Sequence, residues 1–274
     1  MTKIKPGKIS QYNKNNHSFA VCAYGASPYL EECICSLIRQ TVKSRIFIAT
    51  STPNEYISSI AEKYSLPLYI NKGEKGLAGD WNYAFMCANT PLVTLAHQDD
   101  RYYENYTEDV LAALNDCRHP LLVFTDYNEL RAGATVTSNR LLKVKRLMLF
   151  PMKARCFWGS RFVRRRILSF GNAVCCPSVT FVKKNLEGFS FRNNMQSNID
   201  WQAWEELSHR RGEFAYVSRP CMEHRIHPDS TTSGLLEARE RQKEDIQVLK
   251  RFWPGWATRL IEHFYRGAEK SNKL

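Results

Sequence analysis

The chain has 274 residues and a formal net charge of +12, with 43% hydrophobic residues and nine cysteines. That length supports a core needing no disulfide or structural metal, and an odd cysteine count without a C-x-x-C pair reads as reduced core thiols in a cytoplasmic protein. The basic N-terminal tail MTKIKPGKISQYNKNNH (1–17) lacks an apolar h-region and no run of about 18 uncharged apolar residues occurs, which argues against a signal peptide and a spanning helix.

Strands and helices alternate from the start. SFAVCAY (18–24) predicts a strand, and SPYLEECICSLIRQT a helix capped by Ser27, with Pro28 first and Leu30, Ile34, Leu37 and Ile38 on its apolar face. RIFIAT (45–50), LPLYIN (66–71) and PLVTLAH (91–97) predict three further strands, separated by the helices PNEYISSIAEKY and GLAGDWNYAFMCAN. Strands spaced by helices of about 10 to 15 residues imply a mostly parallel sheet covered on both faces, with ligands at the strand ends. Tyr24 to Ser27, Thr50 to Asn54, and His97 to Asp100 therefore share one edge.

At that edge an apolar run ends in Asp99 and Asp100. Adjacent carboxylates repel, so they are either exposed at a turn or cap before YYENYTEDVLAAL, or they hold a cation. Between 139 and 170 stand ten basic residues (Arg140, Lys143, Lys145, Arg146, Lys153, Arg155, Arg161, Arg164, Arg165, Arg166) and no acidic one. Interleaved with Leu141, Leu142, Leu147, Met148, Leu149, Phe150, Phe157, Trp158 and Phe162, they suit membrane headgroups, a phosphorylated ligand or nucleic acid; a solvated face over an ordinary core gives the same pattern. The last 40 residues read as two helices broken at Pro254, with Trp256, Leu260 and Phe264 beside Ile261 and Tyr265 forming an apolar stripe.

Five segments in order, FAVCAYGASPYLEECICSLIRQT, GLAGDWNYA, TPLVTLAHQDD, NIDWQAWEEL and HRIHPDSTT, resemble the family 2 glycosyltransferases of GT-A fold across roughly residues 18 to 235. The resemblance implies an α/β GT-A domain over 18–233, with a mostly parallel sheet flanked by helices and a C-terminal helical extension over 234–274. Its nucleotide-sugar half would be 18–125 and its acceptor half 126–233. The implied activity is metal-dependent, inverting transfer from a nucleotide-diphospho-sugar, a UDP-sugar by default, to an acceptor hydroxyl in cell-surface glycan assembly. Mn2+ or Mg2+ is the implied cofactor, because hard ions neutralise a departing diphosphate through carboxylate and phosphate oxygens.

Carried over by position, Asp99 and His227 become metal ligands, and Asp100 a second ligand or a donor contact. Ala23, Tyr24, Ser27, Thr50, Asp80, Asn82 and Arg225 fall on the donor, and Gly171, Asn172 and Trp201 on the acceptor. Asp200 becomes the general base. A structural His227, a tight turn at Gly171-Asn172 and a helix cap at Asp200 are the alternatives. Three positions depart from the pattern: Thr50, Ser51 and Thr52 stand where many members have an aspartate, Trp81 where an arginine precedes the asparagine, and Ile199 where an acidic residue precedes the base.

The implied partners are the donor and a glycan or lipid-linked acceptor, with an anionic membrane surface open on the inner face of the cell membrane. No nucleic acid is expected, since no recognition motif accompanies the basic segment. A nucleic-acid-binding module and a catalytically degenerate scaffold are the remaining readings; a dinucleotide oxidoreductase is disfavoured because GEKGLAG is not G-x-G-x-x-G after a strand.

Overall fold

The computed structural model describes residues 11–227, 235–259 and 261. In chain order the elements are β1 (His17–Ala23), α1 (Leu30–Ile38), β2 (Arg45–Thr50), α2 (Glu55–Lys63), β3 (Leu68–Ile70), α3 (Leu77–Cys87), β4 (Leu92–His97) and β5 (Arg101–Tyr102). There follow α4 (Tyr106–Asn115), β6 (Pro120–Arg131), β7 (Ala134–Val136), α5 (Arg140–Met148), α6 (Arg161–Leu168), β8 (Val179–Val182), α7 (Ile199–Ser208), β9 (Glu213–Ile226) and α8 (Leu235–Leu249). All form one mixed sheet in the order β3-β2-β1-β4-β8-β6-β9-β5, with β7 folded back on β6.

The first four strands are parallel, so each crosses back through a helix and all end at the same edge. β1 and β4 are buried along almost their whole length, as strands covered on both faces must be. The expected elements of this half are present with ends shifted by a few residues. α1 starts at Leu30 rather than at Pro28: the Ser27 carbonyl accepts the Leu30 N–H at 3.3 Å and its hydroxyl accepts the Tyr29 N–H at 3.3 Å, which makes a separate entry turn.

The longest strands, β6 and β9, carry no alternating pattern and were not expected. They pair in parallel through an irregular stretch that sets Asp126 opposite Pro220, a place where a strand tolerates a residue without an N–H. β6 also runs without a break across the 125/126 position. β5 pairs antiparallel with β9, matching Arg101 to Glu223 and Tyr102 to Met222, and so draws the end of β4 against the end of β9.

At the C-terminus α8 ends at Leu249, and Pro254 opens a short helical stretch at 255–259. Of the apolar stripe, Trp256 is 75% exposed, while its chain neighbours Ala257 and Thr258 are buried. Leu260, Phe264 and Tyr265 of that stripe lie outside the described residues, as do the segment 228–234 and the tail 1–10.

α8 sets the start of α7. The Glu244 carboxylate accepts the N–H groups of Gln196 (2.6 Å), Ser197 (2.9 Å) and Asn198 (2.9 Å) and the Ser197 hydroxyl (2.7 Å). Burial raises its pKa, but these donors outweigh burial and hold it below the ordinary glutamate range. A carboxyl depressed in the fold stabilises it above the unfolded pKa of about 4.3, and the contribution is lost as pH falls through the folded value. Glu244→Gln is therefore expected to lose roughly 1–3 kcal/mol at neutral pH in urea unfolding, with the gap to the parent narrowing as the pH drops below about 4.

Candidate active site

The turn from His97 to Asp100 closes β4, with the Asp100 N–H on the His97 carbonyl at 3.2 Å. Because β5 ties this turn to β9, Asp100 is buried against it: Oδ1 accepts the Arg225 N–H at 2.9 Å and pairs with His224 Nδ1 at 2.9 Å. Asp100 is 0% exposed, and its Oδ2 meets no hydrogen-bond partner among the described residues. Asp99 is partly exposed and pairs through Oδ2 with His227 Nε2 at 3.1 Å. Burial raises Asp99, yet His97, His224 and His227 together hold its pKa below the ordinary aspartate range. His224 ends raised, since burial pulls it down but Asp100 outweighs burial.

His97, Asp99 and Asp100 bring one ligand atom each within 4.8 Å of one another. An open, fully buried carboxylate oxygen beside a second carboxylate and an imidazole fits a divalent cation, whose charge would satisfy Oδ2.

The donor-side positions fall in three groups. Tyr24 is 66% exposed, and Gln98 fixes its backbone from both sides, accepting its N–H and donating to its carbonyl, each at 2.9 Å. Gly25, at φ 61°, continues in the left-handed region that glycine tolerates and donates to Thr52 Oγ1 at 2.8 Å. At the end of β2, where no aspartate follows the strand, a carboxylate arrives from α3 instead: Asp80 accepts the Ser51 hydroxyl at 2.8 Å and the Asn71 side-chain amide at 2.9 Å. Ala23 and Thr50 are buried and back this edge, and Ser27 stands at the entry to α1.

Two positions expected on the donor are engaged by the protein. The Asn82 amide donates to the Phe191 carbonyl at 2.8 Å and accepts its N–H at 2.7 Å, fastening α3 to the loop before α7. Arg225 donates to the Asp99 carbonyl at 2.7 Å, pairs with Glu32, and lies over the Tyr29 ring at 4.2 Å.

Across the site, Asp200 occupies the first turn of α7. Its Oδ2 accepts from Asn172 Nδ2 at 2.7 Å and its Oδ1 from the Trp201 N–H at 2.7 Å. Burial raises its pKa above the ordinary range, more than these donors, Lys145 and Arg241 lower it. Asn172 follows Gly171, which turns at φ 148°. Trp201 corrects the acceptor expectation: at 1% exposure, with its indole N–H on the Leu168 carbonyl at 3.0 Å, it belongs to the core. Cys175 and Cys176 feel both acidic centres: their thiols are pushed well up first by burial and also by the charges of both Asp100 and Asp200.

Sequence reasoning missed four contributors here. His97 and Gln98 lie in the segment placed at this edge but were given no role of their own, His224 is an isolated polar residue near a strand end, and Lys145 was counted only within the basic segment. Lys145 donates to the Tyr127 hydroxyl at 2.9 Å, and Tyr127 meets the His224 ring edge-on at 6.2 Å. The basic segment thus divides. Arg146 pairs with Asp126 at 2.7 Å, Arg165 with Glu205 at 3.1 Å, and buried Arg164 donates to the Ser208 carbonyl at 3.0 Å, while Arg140, Lys143, Lys153 and Arg161 face outward.

Residues 18–170 match the family model for glycosyl transferase family 2. The chain belongs to that family. By sequence, no curated protein matches it. Among solved structures it resembles S. aureus TarS 1–349 in complex with UDP-GlcNAc, at TM-score 0.57 and 16% identity over 90% of this chain and 70% of that one. It also resembles glucosyl-3-phosphoglycerate synthase from Mycobacterium tuberculosis in complex with Mn2+, UDP and phosphoglyceric acid, at TM-score 0.61 and 14% identity over 91% and 84%.

The surroundings of Asp200 give a direct test. Carboxyl carbon NMR should find it titrating above the ordinary aspartate value of about 3.9, and Asn172→Ala should move it further up, because the lost donor favoured the anion. Titration at or below that value in the parent protein would contradict the buried environment.

Proposed function

We propose that the protein is a metal-dependent, inverting glycosyltransferase that moves a sugar from a UDP-sugar to an acceptor hydroxyl in cell-surface glycan assembly. One observation carries the reading: Asp99 and Asp100, whose Oδ2 has no partner among the described residues, follow the end of a parallel strand, and the charges of both Asp100 and Asp200, the latter raised in pKa by burial, act on the same two thiols, Cys175 and Cys176. The UDP-sugar and Mn2+ in the similar structures support it.

Asp99 and Asp100 would hold the divalent ion, Mn2+ or Mg2+, with His227 beside Asp99. When bound, that ion neutralises charge developing on the departing diphosphate. Tyr24 offers an exposed ring for the base, and Asp80, oriented by Ser51 and Asn71, an acceptor for its N–H groups. Asp200 takes the proton of the acceptor hydroxyl while Asn172 fixes the carboxylate's direction. As the acceptor oxygen bonds the anomeric carbon from the face opposite the diphosphate, the bond to phosphate breaks, its electron pair leaves on the diphosphate, and the configuration inverts. Lys145 is one of the groups that lower the pKa of Asp200, which burial raises by more.

The outward face of the basic segment supports a lipid-linked acceptor. Arg140, Lys143, Val144 and Leu147 follow one face of α5 and are exposed, Leu147 to 74%, and Phe150 and Phe162 extend the patch. Basic and apolar groups on one exposed face suit an anionic bilayer, each cation near the surface adding about 1 kcal/mol. No described helix is long and apolar enough to cross a membrane.

Two measurements follow. Asp200→Asn should lose transfer by about 100-fold to 10,000-fold while keeping UDP affinity and melting temperature, because asparagine keeps the shape and an oxygen that can accept the Trp201 N–H. Near-parental transfer would remove Asp200 from the chemistry. In co-sedimentation with phosphatidylglycerol vesicles, the parent should bind in a salt-sensitive way and L147S/F150S/F162S should not, with unchanged melting temperature. Equal retention of both proteins, or binding to RNA without binding to vesicles, would exclude the membrane seat.

A further inference from the structure

We infer that Arg166, stacked on Trp253 beside Phe170, forms an acceptor subsite for a sugar that carries an oxyanion, a phosphate or a carboxylate. The inference rests on the reading of Asp200 as the base for the acceptor hydroxyl, and it names the class of acceptor.

Arg166 stands in the last turn of α6, and its guanidinium lies 4.6 Å from the centre of the Trp253 ring and 5.9 Å from that of Phe162. Stacking fixes the plane of a guanidinium and leaves the N–H groups on its edge to bind. Those of the neighbouring arginines are taken: Arg164 donates to the carbonyls of Ser208, Arg210 and Gly212, and Arg165 pairs with Glu205 at 3.1 Å. No carboxylate pairs with Arg166 among the described residues, and its buried Nε has no hydrogen-bond partner among them. A half-buried cation with an idle donor is costly unless something accepts from it. A phosphate or carboxylate does so through two parallel hydrogen bonds, which the planar fork of arginine matches.

Position makes that anion part of an acceptor. Trp253 donates its indole N–H to the Ser169 carbonyl at 2.7 Å and meets the Phe170 ring at 5.6 Å. Phe170 is 49% exposed, so this aromatic pair is open on one side. Two residues further along, Asn172 holds the Asp200 carboxylate at 2.7 Å. Two residues of chain span at most about 7 Å, so the aromatic patch begins next to the base. A sugar unit joined to the one whose hydroxyl meets Asp200 falls on these rings, whose electron-rich faces suit the C–H groups of a pyranose. Its anionic substituent then meets Arg166. A bilayer headgroup is the weaker fit, because Arg140 and Lys143 face outward as a membrane contact requires, whereas Arg166 is half-buried near the base. Trp253 lies outside residues 18–170, the part of the chain that matches the family model, so the C-terminal extension supplies one wall of the subsite.

The test titrates the purified full chain, labelled with 15N in arginine and tryptophan, with glucose 6-phosphate, glucuronate and glucose at fixed ionic strength. The Nε–H resonance of Arg166, assigned by its loss in Arg166→Lys, should move saturably with both anionic sugars, and glucose should bind at least about tenfold more weakly. Affinities in the variants are read at the Trp253 indole N–H. Arg166→Gln should weaken both anionic sugars by roughly tenfold to 100-fold and leave glucose unchanged, while Phe170→Ala weakens all three; UDP affinity and melting temperature stay at the parental values in both. Should Arg166→Gln fail to fold, Arg166→Lys decides: it keeps the charge but loses the fork, and is expected to weaken both anionic sugars. Vesicles of phosphatidylglycerol supply the other source of an oxyanion, and an Arg166 resonance that responds to them and not to the sugars makes it a headgroup contact and overturns the subsite. Shifts that do not saturate, or equal affinity for glucose and its 6-phosphate, overturn it too. Each of these failures leaves the transferase reading standing, since that reading is decided separately by the transfer rate of Asp200→Asn.

Discussion

Asp100 has no exposed surface, and the protein balances it at one oxygen. Oδ1 receives the Arg225 N–H and His224; Oδ2 receives nothing among the described residues. A buried carboxylate left half-compensated is costly by several kcal/mol, so the surrounding structure has to be firm enough to hold it. That firmness is visible on every side. β5 locks the turn to β9, Arg225 clamps the Asp99 carbonyl to Glu32 on α1, and the Tyr29 ring lies under the guanidinium. Arg225 looked in the sequence like a group for the diphosphate; its position makes it the strap that keeps two carboxylates together.

The parallel half of the sheet was legible because its signals are local. Apolar runs of strand length alternate with amphipathic helices, and Asp99-Asp100 stands out as two like charges at the end of one run. β6 and β9 were not legible, because what stabilises their polar residues comes from far along the chain. Glu129 is held by Asn139 at 2.7 Å, Asp126 by Arg146 at 2.7 Å, and Glu223 by Arg101 and Thr135. A strand whose buried charges are paired this way shows no alternation to read. The same limit applies to side-chain direction. Residue type was right at Asn82 and Trp201, but whether an amide or indole faces a pocket or the interior depends on neighbours such as Phe191 and Leu168 that sequence spacing does not bring together.

Net charge misled in a similar way. Of the basic segment, Arg164 is buried at the end of α7, where it donates to the carbonyl of Ser208, the last helical residue, and to those of Arg210 and Gly212 in the turn that follows. Burial lowers its pKa to about 10, still far above neutrality, so it remains a cation at that helix end. Arg146 and Arg165 brace β6 and α7. Lys145 turns inward toward Tyr127 and the acidic centres. A run of ten like charges thus serves three different ends, and only half of them, Arg140, Lys143, Lys153, Arg155 and Arg161, are exposed.

The two acidic centres differ in environment, and the proposed division of work follows that difference. Asp99 sits among imidazoles that outweigh its burial, so it stays anionic across the physiological range and is suited to a metal ion. Asp200 faces burial with one amide donor, its own helix N–H and more distant cations, which do not outweigh it, so it binds a proton more readily than an exposed aspartate. A pair of carboxylates pushed apart in this way separates charge stabilisation from proton transfer. In the proposed division, a proton on Asp99 would remove a negative charge that a divalent ion needs, and an ion held at Asp200 would occupy the oxygens that are to take the hydroxyl proton.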